Sequence, residues 1–281
     1  MVYRALNGRS ALRMGGSGGG AAVPSSDLQY QVPYGLVSPS QTYALGARAH
    51  MARYGTTAES LGTVAVQQRA QAVDNPRALM RAALTIDDYF DSRFIVEPFR
   101  LLDCCLETDG ACAVVVTTTE RARDLAKPVV SLSGWAWAIG ANGFWTGADD
   151  LAHGSGASRV ASRVFAMAGV GPNDVDVAEL YDAFSISVLL QLEAYGFCAP
   201  GDSGPYVLSG ATARGGALPV NTHGGFLSEG YVHGLNHVCE AVEQLRGDAG
   251  ERQVADCEVA LSTGQPGYIS GMSSAVILRR M

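Results

Sequence analysis

The sequence has little charge and no long apolar run. Only 17% of its 281 residues are charged and 47% are hydrophobic, a composition that excludes an intrinsically disordered chain. No segment reaches the roughly 20 consecutive apolar residues of a membrane helix, and the first residues lack the apolar stretch of a secretory signal. We therefore expect a cytoplasmic protein without a membrane anchor.

Other missing signals narrow the chemistry. None of the six cysteines forms a CxxC pair, which argues against a zinc ribbon and favours reduced, buried cysteines. No GxSxG elbow is present, so the sequence offers no recognisable nucleophile. The net charge of −7 argues against a surface that binds nucleic acid. Glycine is abundant, with 34 residues and no three-residue period, which excludes collagen and indicates tight loops.

Helical and strand patterns alternate along the chain, which predicts an α/β fold. DGACAVVV in the first half resembles SGMSSAVIL at the end, since each is a turn of small residues leading into a strand. We therefore predict two pseudo-repeated α/β halves, residues 1–126 and 127–281. The first half is short of strands and is expected to be incomplete, with Ala111–Thr117 as a strand buried on both faces. The predicted helices cover residues 40–54, 57–73, 77–84, 87–92, 158–168, 184–195 and 235–245.

The segment Glu179-Leu180-Tyr181-Asp182 lies where a short strand gives way to a helix. Open α/β folds place ligand sites at the carboxyl ends of strands, and a helix N-terminus favours developing negative charge. Tyr181 and Asp182 are therefore candidate functional residues. The alternative is a helix cap beside a core tyrosine, which is by itself the commoner arrangement.

A glycine-dense loop follows, and its polar residues without apolar periodicity indicate a functional role. Three histidines in and after it, His223, His233 and His237, suggest a metal site. The sequence shows no HExxH motif and no carboxylate partner, so we expect no metal, and His237 is predicted to lie on the surface or to cap the next helix. The candidate binding residues of the loop are Asn221, His223, Gly224 and Gly225.

A third feature is the glycine-rich turn between the last two predicted strands. It runs from Ser262 to Gly271 and includes Gly267. Such a turn could present backbone N–H groups to a ligand, and an ordinary β-turn fits the same residues.

In these three motifs the chain resembles the thiolase superfamily, in its lipid-transfer-protein (SCP2-thiolase-like) branch. DVDVAELYDAFS resembles the strand–helix block with the NEAF or HDCF signature, NTHGGFLSEGYVHG resembles NxxGGxxxxGHPxG, and GQPGYISGMSSAVIL resembles the C-terminal glycine-rich turn. The resemblance covers nearly the whole chain and implies a thiolase-like fold of αβαβα layers. Because the family's nucleophilic cysteine belongs to a preceding segment, the resemblance also implies N-terminal truncation.

The departures from the family pattern concern the reacting groups. Tyr181 stands where thiolases keep the Asn or His of the first signature, and Tyr231 replaces the His of GHP. No cysteine occupies Gly264–Gly271, where true thiolases carry a catalytic one. These differences argue against condensation through an acyl-cysteine. The tyrosine pair resembles instead the steroid side-chain-cleaving, Ltp2-like aldolases of the same superfamily.

That resemblance implies retro-aldol cleavage of a β-hydroxyacyl-CoA to a 17-ketosteroid and propionyl-CoA. The reaction needs a base at the hydroxyl group and a proton donor for the enolate, so Tyr181 and Tyr231 are the expected acid–base pair, in either order. No bound cofactor is expected, because coenzyme A arrives as the substrate thioester. The residues expected to bind substrate are Asn221, His223, Gly224, Gly225 and Gly267.

The resemblance further implies a homodimeric core and a partner subunit of the DUF35 type with an OB-fold. Two other functions stay open at this point. One is an acyl-CoA acyltransferase of the ordinary thiolase type, and the other is a non-catalytic carrier of acyl-CoA or lipid.

Overall fold

The computed structural model describes residues 1–9, 32–139, 156–265 and 272–281. Its strands are β1 Val2–Asn7, β2 Phe94–Val96, β3 Phe99–Arg100, β4 Asp109–Val114, β5 Val130–Ile139, β6 Val177–Glu179, β7 Val259–Thr263 and β8 Met272–Arg280. Its α-helices are α1 Pro39–Tyr54, α2 Ala58–Ala72, α3 Ile86–Asp91, α4 Thr119–Arg123, α5 Ala157–Ala168, α6 Ser185–Ala194, α7 Ser203–Leu208, α8 Gly225–Ser228 and α9 Leu235–Arg246. Among these described elements, no helix combines the length and apolarity that would span a bilayer.

The larger sheet has the strand order β5-β8-β7-β6. Its outer pair β6 and β7 is parallel, with Val177 opposite Ala260, and the other neighbours are antiparallel. Side chains alternate along β7, so Ala260 faces one cluster of apolar residues while Val259 and Leu261 face another. Both faces of β7 are therefore covered, which explains why all of its residues are buried.

Helices α5 and α9 pack against the two faces of the larger sheet. On the α5 side, Gly134 of β5 lies so close to the helix that a β-carbon there would come within 2.6 Å of the Val164 carbonyl oxygen. On the α9 side, Ala241 and Leu245 pack against Ala260. Because β7 pairs with β6, this packing also holds β6 in place. The candidate site begins at the end of β6.

Helix α2 lies beside α6, α7 and α8. It begins after Thr57, whose side-chain oxygen accepts a hydrogen bond from Ser60 N, as predicted for a threonine cap. Close to its end, Ala72 packs against Gly224 so tightly that a β-carbon on the glycine would lie 2.5 Å from the alanine side chain. The end of helix α2 therefore packs against the glycine-dense loop and fixes its position.

Two predictions about the first half are wrong. The segment 111–117 was expected to be buried on both faces, but Val115 and Val116 are exposed by 79% and 63%, because β4 pairs with β1 alone among the described strands. Residues 77–84 are not helical. Instead, Leu79 N and Met80 N donate hydrogen bonds to the carbonyl groups of Glu229 and Ser228, so this segment bonds to the chain after α8 rather than to itself.

The other predicted helices are present with ends shifted by a few residues. The first of them starts one residue early, because its cap is Ser38 and Pro39 occupies the first turn. The predicted division into halves at residues 126 and 127 stays a prediction.

Candidate active site

The candidate site begins where β6 ends and the chain turns toward α6. The side chain of Asn221 brackets Leu180: its Oδ1 accepts from Leu180 N at 2.7 Å, and its Nδ2 donates to Leu180 O at 2.9 Å. The next residue is held as firmly, since Tyr181 N donates to Thr263 Oγ1 at 2.9 Å and Gln191 Nε2 donates to Tyr181 O at 2.7 Å. The direction of the Tyr181 ring is therefore set by its backbone.

The loop opposite Tyr181 takes backbone conformations that favour glycine. Gly224 and Gly225 have φ of 105° and 61°, and Gly230 has φ of 153°. A β-carbon on Gly225 would collide with the Asp182 carboxylate. That carboxylate accepts hydrogen bonds from the backbone N–H groups of Phe226 and Leu227 at 2.8 and 3.3 Å. The loop and the β6–α6 junction are thereby joined.

This joint brings two phenols together. The hydroxyl oxygens of Tyr181 and Tyr231 lie 2.6 Å apart, and their rings meet edge-on at 6.1 Å. Tyr181 is 4% exposed, whereas Tyr231 is half-buried and open on one side. Tyr231 N donates to Thr108 Oγ1 at 2.9 Å, which ties the second tyrosine to the segment before β4.

Burial raises the pKa of both phenols, but not equally. For Tyr181, burial and the neighbouring Tyr231 raise the pKa far above its ordinary value. For Tyr231, burial raises the pKa to about 12, and the hydrogen bond from Tyr181 opposes the rise. Both groups are neutral phenols near pH 7. Tyr231 loses its proton more readily of the two, and its phenolate would accept a hydrogen bond from the Tyr181 O–H at 2.6 Å.

The ring of Phe226 forms the wall behind the tyrosines. It meets Tyr181 and Tyr231 edge-on, with centroids 5.0 and 4.9 Å apart. Its other side stacks on His237 at 4.2 Å with an angle of 20° between the planes. Phe226 is fully buried, so it separates the phenols from a second, charged cluster.

That second cluster is a chain of buried ionisable groups. His223 Nδ1 lies 2.6 Å from Glu229 Oε2, and His223 Nε2 lies 2.7 Å from His237 Nδ1. His237 Nε2 lies 3.1 Å from Asp182 Oδ1. Burial alone would lower the pKa of His223, but the carboxylates of Glu229 and Glu179 outweigh it and hold that pKa well above the ordinary value. His223 is therefore a buried imidazolium that donates to both neighbours.

Two expectations about the histidines are wrong. His237 is neither a surface residue nor a cap, because it is fully buried in α9. A carboxylate does join the pair, since Glu179 Oε2 lies 3.3 Å from His223 Nε2, and the three side chains form a compact group of possible metal ligands. However, ligands of a tetrahedral metal at about 2.0–2.1 Å would be separated by about 3.4 Å. The 2.7 Å between the ring nitrogens fits a shared proton instead.

Comparisons with known proteins show to which family the chain belongs. The Thiolase C-terminal domain-like family matches residues 144–280. The chain is 40% identical to a steroid side-chain-cleaving aldolase of Thermomonospora curvata, over 95% of this chain and 71% of the relative. It is 39% identical to the 17-hydroxy-3-oxo-4-pregnene-20-carboxyl-CoA lyase of Mycobacterium tuberculosis, with the same coverage. It also matches the solved Ltp2-ChsH2(DUF35) aldolase with a TM-score of 0.91 and 39% identity, over 99% of this chain and 71% of that one.

The chain belongs to the Ltp2-like aldolases of the thiolase superfamily. The predicted family and the thiolase-like α/β fold are thus confirmed. As a member of this group it is a carbon–carbon lyase by class. The chain spans about 71% of the length of these relatives.

In this Ltp2-like aldolase the predicted site residues fall into three groups. Tyr181 and Tyr231 meet, as described. Asn221, Gly224 and Gly225 shape the loop that joins them, and both polar atoms of Asn221 are bonded to Leu180. His223 lies behind Phe226 with both ring nitrogens bonded to protein groups, and its role as a substrate-binding residue stays a prediction. The seventh predicted position, Gly267, lies outside the described residues.

The sequence argument missed the groups that hold the tyrosines in place. Thr263 and Gln191 fix the backbone of Tyr181, and Thr108 fixes that of Tyr231. Thr263 lies in the glycine-rich turn Ser262–Gly271, directly after a predicted strand, where site residues are expected. Gln191 and Thr108 carried no signal of that kind.

Proposed function

We propose that this aldolase cleaves the side chain of a steroid β-hydroxyacyl-CoA to a 17-ketosteroid and propionyl-CoA. The observation that carries the proposal is the 2.6 Å distance between the two phenol oxygens. Tyr181 lies just after the carboxyl end of β6, beside the carboxyl end of β7. Retro-aldol cleavage moves one proton off a hydroxyl group and one proton onto a carbon, and two adjacent phenols of different pKa suit these two tasks.

Tyr231 is the proposed base and Tyr181 the proposed acid. Tyr231 has the lower pKa of the two, so its phenolate takes the proton of the substrate hydroxyl while the carbon–carbon bond breaks. The ketone and the thioester enolate are the immediate products. Tyr181 then gives its proton to the enolate carbon, which forms propionyl-CoA, and a proton passes back from Tyr231 to Tyr181 to restore the pair.

The acyltransferase alternative needs a thiolate that can take up an acyl group. Four cysteines of the described chain are poor candidates, because burial raises the pKa of each: Cys104, Cys198 and Cys257 to about 12, and Cys105 higher still. Cys105 is joined to the segment that follows Tyr181, since its N–H donates to the Ala183 carbonyl group. Thiols of that kind are inert at neutral pH.

The proposed partner is a DUF35-type subunit. The support is the structural relative, which is an aldolase described together with a DUF35 protein and which superposes on nearly all of this chain. The names of the two curated relatives support a coenzyme A thioester of a steroid acid as substrate. We propose coenzyme A as part of that substrate and no bound cofactor.

The test is a product assay. The chain, alone and co-expressed with a DUF35 subunit, is incubated with 17-hydroxy-3-oxo-4-pregnene-20-carboxyl-CoA, the compound in the name of the mycobacterial relative. We expect propionyl-CoA and the 17-ketosteroid in equal amounts. The double variant Tyr181→Phe, Tyr231→Phe should release neither. Full turnover by that variant would falsify the tyrosine mechanism.

The same assay separates the alternatives. An acyltransferase would label one of its cysteines with acyl-CoA, which mass spectrometry of the intact protein detects. A carrier would bind the thioester without releasing propionyl-CoA in either preparation. Either result would replace the proposed lyase reaction.

A further inference from the structure

Tyr231, the proposed base, carries its own proton near pH 7 and must lose it in order to accept the proton of the substrate. Burial keeps the pKa of Tyr231 at about 12, so on the order of one molecule in 10⁵ carries a phenolate at pH 7. Tyr181 cannot receive that proton, because it is itself a neutral phenol whose pKa is raised still further. A third group beside Tyr231 is therefore needed that accepts the phenol's proton while the phenol oxygen takes the substrate's proton.

The neighbour of Tyr231 on its open side is His233. Both ring nitrogens of His233 lie 3.4 Å from the Tyr231 hydroxyl oxygen, and the two rings are 4.7 Å apart at an angle of 36°. Within the described residues, no other hydrogen bond engages these ring nitrogens. His233 is exposed, so it can exchange a proton with water while Tyr181 and Phe226 close the inner side.

His233 has a backbone conformation that is uncommon for a residue other than glycine. Its φ is 55°, in the left-handed region that glycine adopts without strain. This conformation turns the imidazole back over the phenol of Tyr231, two residues earlier. A glycine would satisfy the loop more easily but would leave the Tyr231 hydroxyl without that neighbour.

The charges around this pair favour a neutral imidazole. Burial and the positive charge of Arg4 on β1 lower the pKa of His233 below its usual value. Arg4 also lowers the pKa of Tyr231, while Cys105 and Asp182 raise it. The imidazole is thus unprotonated at neutral pH and can accept a proton, which an imidazolium could not do.

We propose that His233 is the proton acceptor behind Tyr231, a positioning residue that acts on the reaction through that phenol. The inference rests on the proposed retro-aldol function. In one concerted step the O–H bond of Tyr231 breaks as an N–H bond forms on the imidazole, and the phenol oxygen takes the substrate's hydroxyl proton as the carbon–carbon bond breaks. After Tyr181 has protonated the enolate carbon, Tyr231 gives its proton to Tyr181 and the imidazolium returns a proton to Tyr231. No proton is gained or lost over the cycle.

The experiment compares pH profiles of kcat/KM for propionyl-CoA release between pH 5.5 and 10. In the unchanged chain, activity should be level above pH 7 and fall only in acid, as the imidazole is protonated. In His233→Asn it should be 10- to 100-fold lower at pH 7 and should rise about tenfold per pH unit, because hydroxide replaces the imidazole. Asparagine tolerates the left-handed backbone, so the loop is retained.

Two further variants make the test specific. His233→Gly suits the backbone and should be rescued by added imidazole, which a structural role for the side chain does not predict. Asp256→Gly is the matched control: Asp256 is exposed, has φ of 50° and lies in the turn before β7, at the end of that strand away from Thr263. Its profile should be that of the unchanged chain.

The outcomes distinguish the two proposals. If the unchanged chain with its partner subunit releases no propionyl-CoA, the proposed function fails. If it is active but His233→Asn keeps the same pH profile, or His233→Gly gains nothing from imidazole, the role of His233 is refuted while the tyrosine mechanism stands.

Discussion

Two polar clusters lie on opposite sides of Phe226 and are built on different principles. On one side, Tyr181 and Tyr231 are neutral phenols, and the second is open to solvent. On the other side, His223 and Glu229 form an ion pair at 2.6 Å in which the imidazole is fully buried. Both clusters are hydrogen-bonded pairs at nearly the same distance, so distance alone does not separate their roles.

The two pairs differ in how many of their hydrogen-bonding positions are already used by protein groups. His223 has both nitrogens committed to neighbours, and Glu229 accepts further hydrogen bonds from Asn75 and Asn236. A buried charge with all its bonds made stabilises the loop and has no free position for substrate. Tyr231 still faces solvent and His233. We infer that the charged pair is the scaffold and the neutral pair is the reactive part, a division that single substitutions can test.

The largest expected effect is on the neutral side. Tyr231→Phe should lower kcat about 1000-fold, close to 4 kcal/mol of barrier, because it removes the proposed base. Tyr181→Phe should lower it about 100-fold, since water can replace an acid more easily. Single-turnover release of 17-ketosteroid measures both. Urea unfolding should change by less than about 1 kcal/mol in each variant, and turnover equal to that of the unchanged chain in both would remove the tyrosines from the mechanism.

The next effect is on the charged side and concerns stability. His223→Gln leaves the fully buried Glu179 carboxylate without the imidazolium 3.3 Å away and removes the pairing with Glu229, so it should cost about 3 kcal/mol of unfolding free energy. The control is His50→Gln, because His50 is also fully buried and lies 3.1 Å from Glu193, within another part of the core. Both variants should unfold at lower urea concentration, but only His223→Gln should also disturb the tyrosines. A His223→Gln protein as stable as the unchanged chain would contradict the scaffold role.

Phe226→Leu should have a smaller effect on both sides at once. The ring contacts His237 on one face and both tyrosines at its edge, and the substitution loses these aromatic contacts while keeping the site apolar. We expect about 2 kcal/mol of lost stability and a reduction in kcat of about tenfold. Urea unfolding and the product assay measure the two effects, and a change in only one of them would mean that Phe226 serves one cluster alone.

The smallest effect is a slope of stability with pH. The folded pKa of His223 is raised, so its stabilisation is complete below the unfolded value near 6.5 and is lost as pH rises toward the folded value. The folded pKa of Glu229 is depressed, so its contribution is present above about pH 4.5 and is lost in acid. Unfolding free energy should therefore fall between pH 7 and 8 by at most about 1.4 kcal/mol. His223→Gln should remove this slope, and an unchanged slope would assign it to other groups.

The sequence predicts the neutral side better than the charged side. Tyr181 and Tyr231 could be paired because each replaces a reacting residue in a recognisable motif. The contact between His223 and His237 could not, because it joins a loop to a helix across 14 positions, and its carboxylates come from β6 and from α8's end. Motif spacing reports which residues share a motif, whereas buried networks depend on how elements pack.

The errors in the first half have a similar cause. The run after β4 has the composition of a buried strand, but its burial depends on neighbouring strands, and the described chain supplies only β1. Residues 77–84 have helical composition, yet their N–H groups find partners on Ser228 and Glu229. Local propensity gave way to tertiary bonding in both segments.

The bonds that Asp182 accepts have a consequence for how the site forms. Its carboxylate takes the N–H groups of Phe226 and Leu227, so the residue beside Tyr181 is fastened to the chain five residues before Tyr231. The two phenols cannot reach each other until both segments are in place. The site should therefore assemble in the same cooperative step as the core, and exchange of the Phe226 amide hydrogen should be as slow as that of the central strand β7.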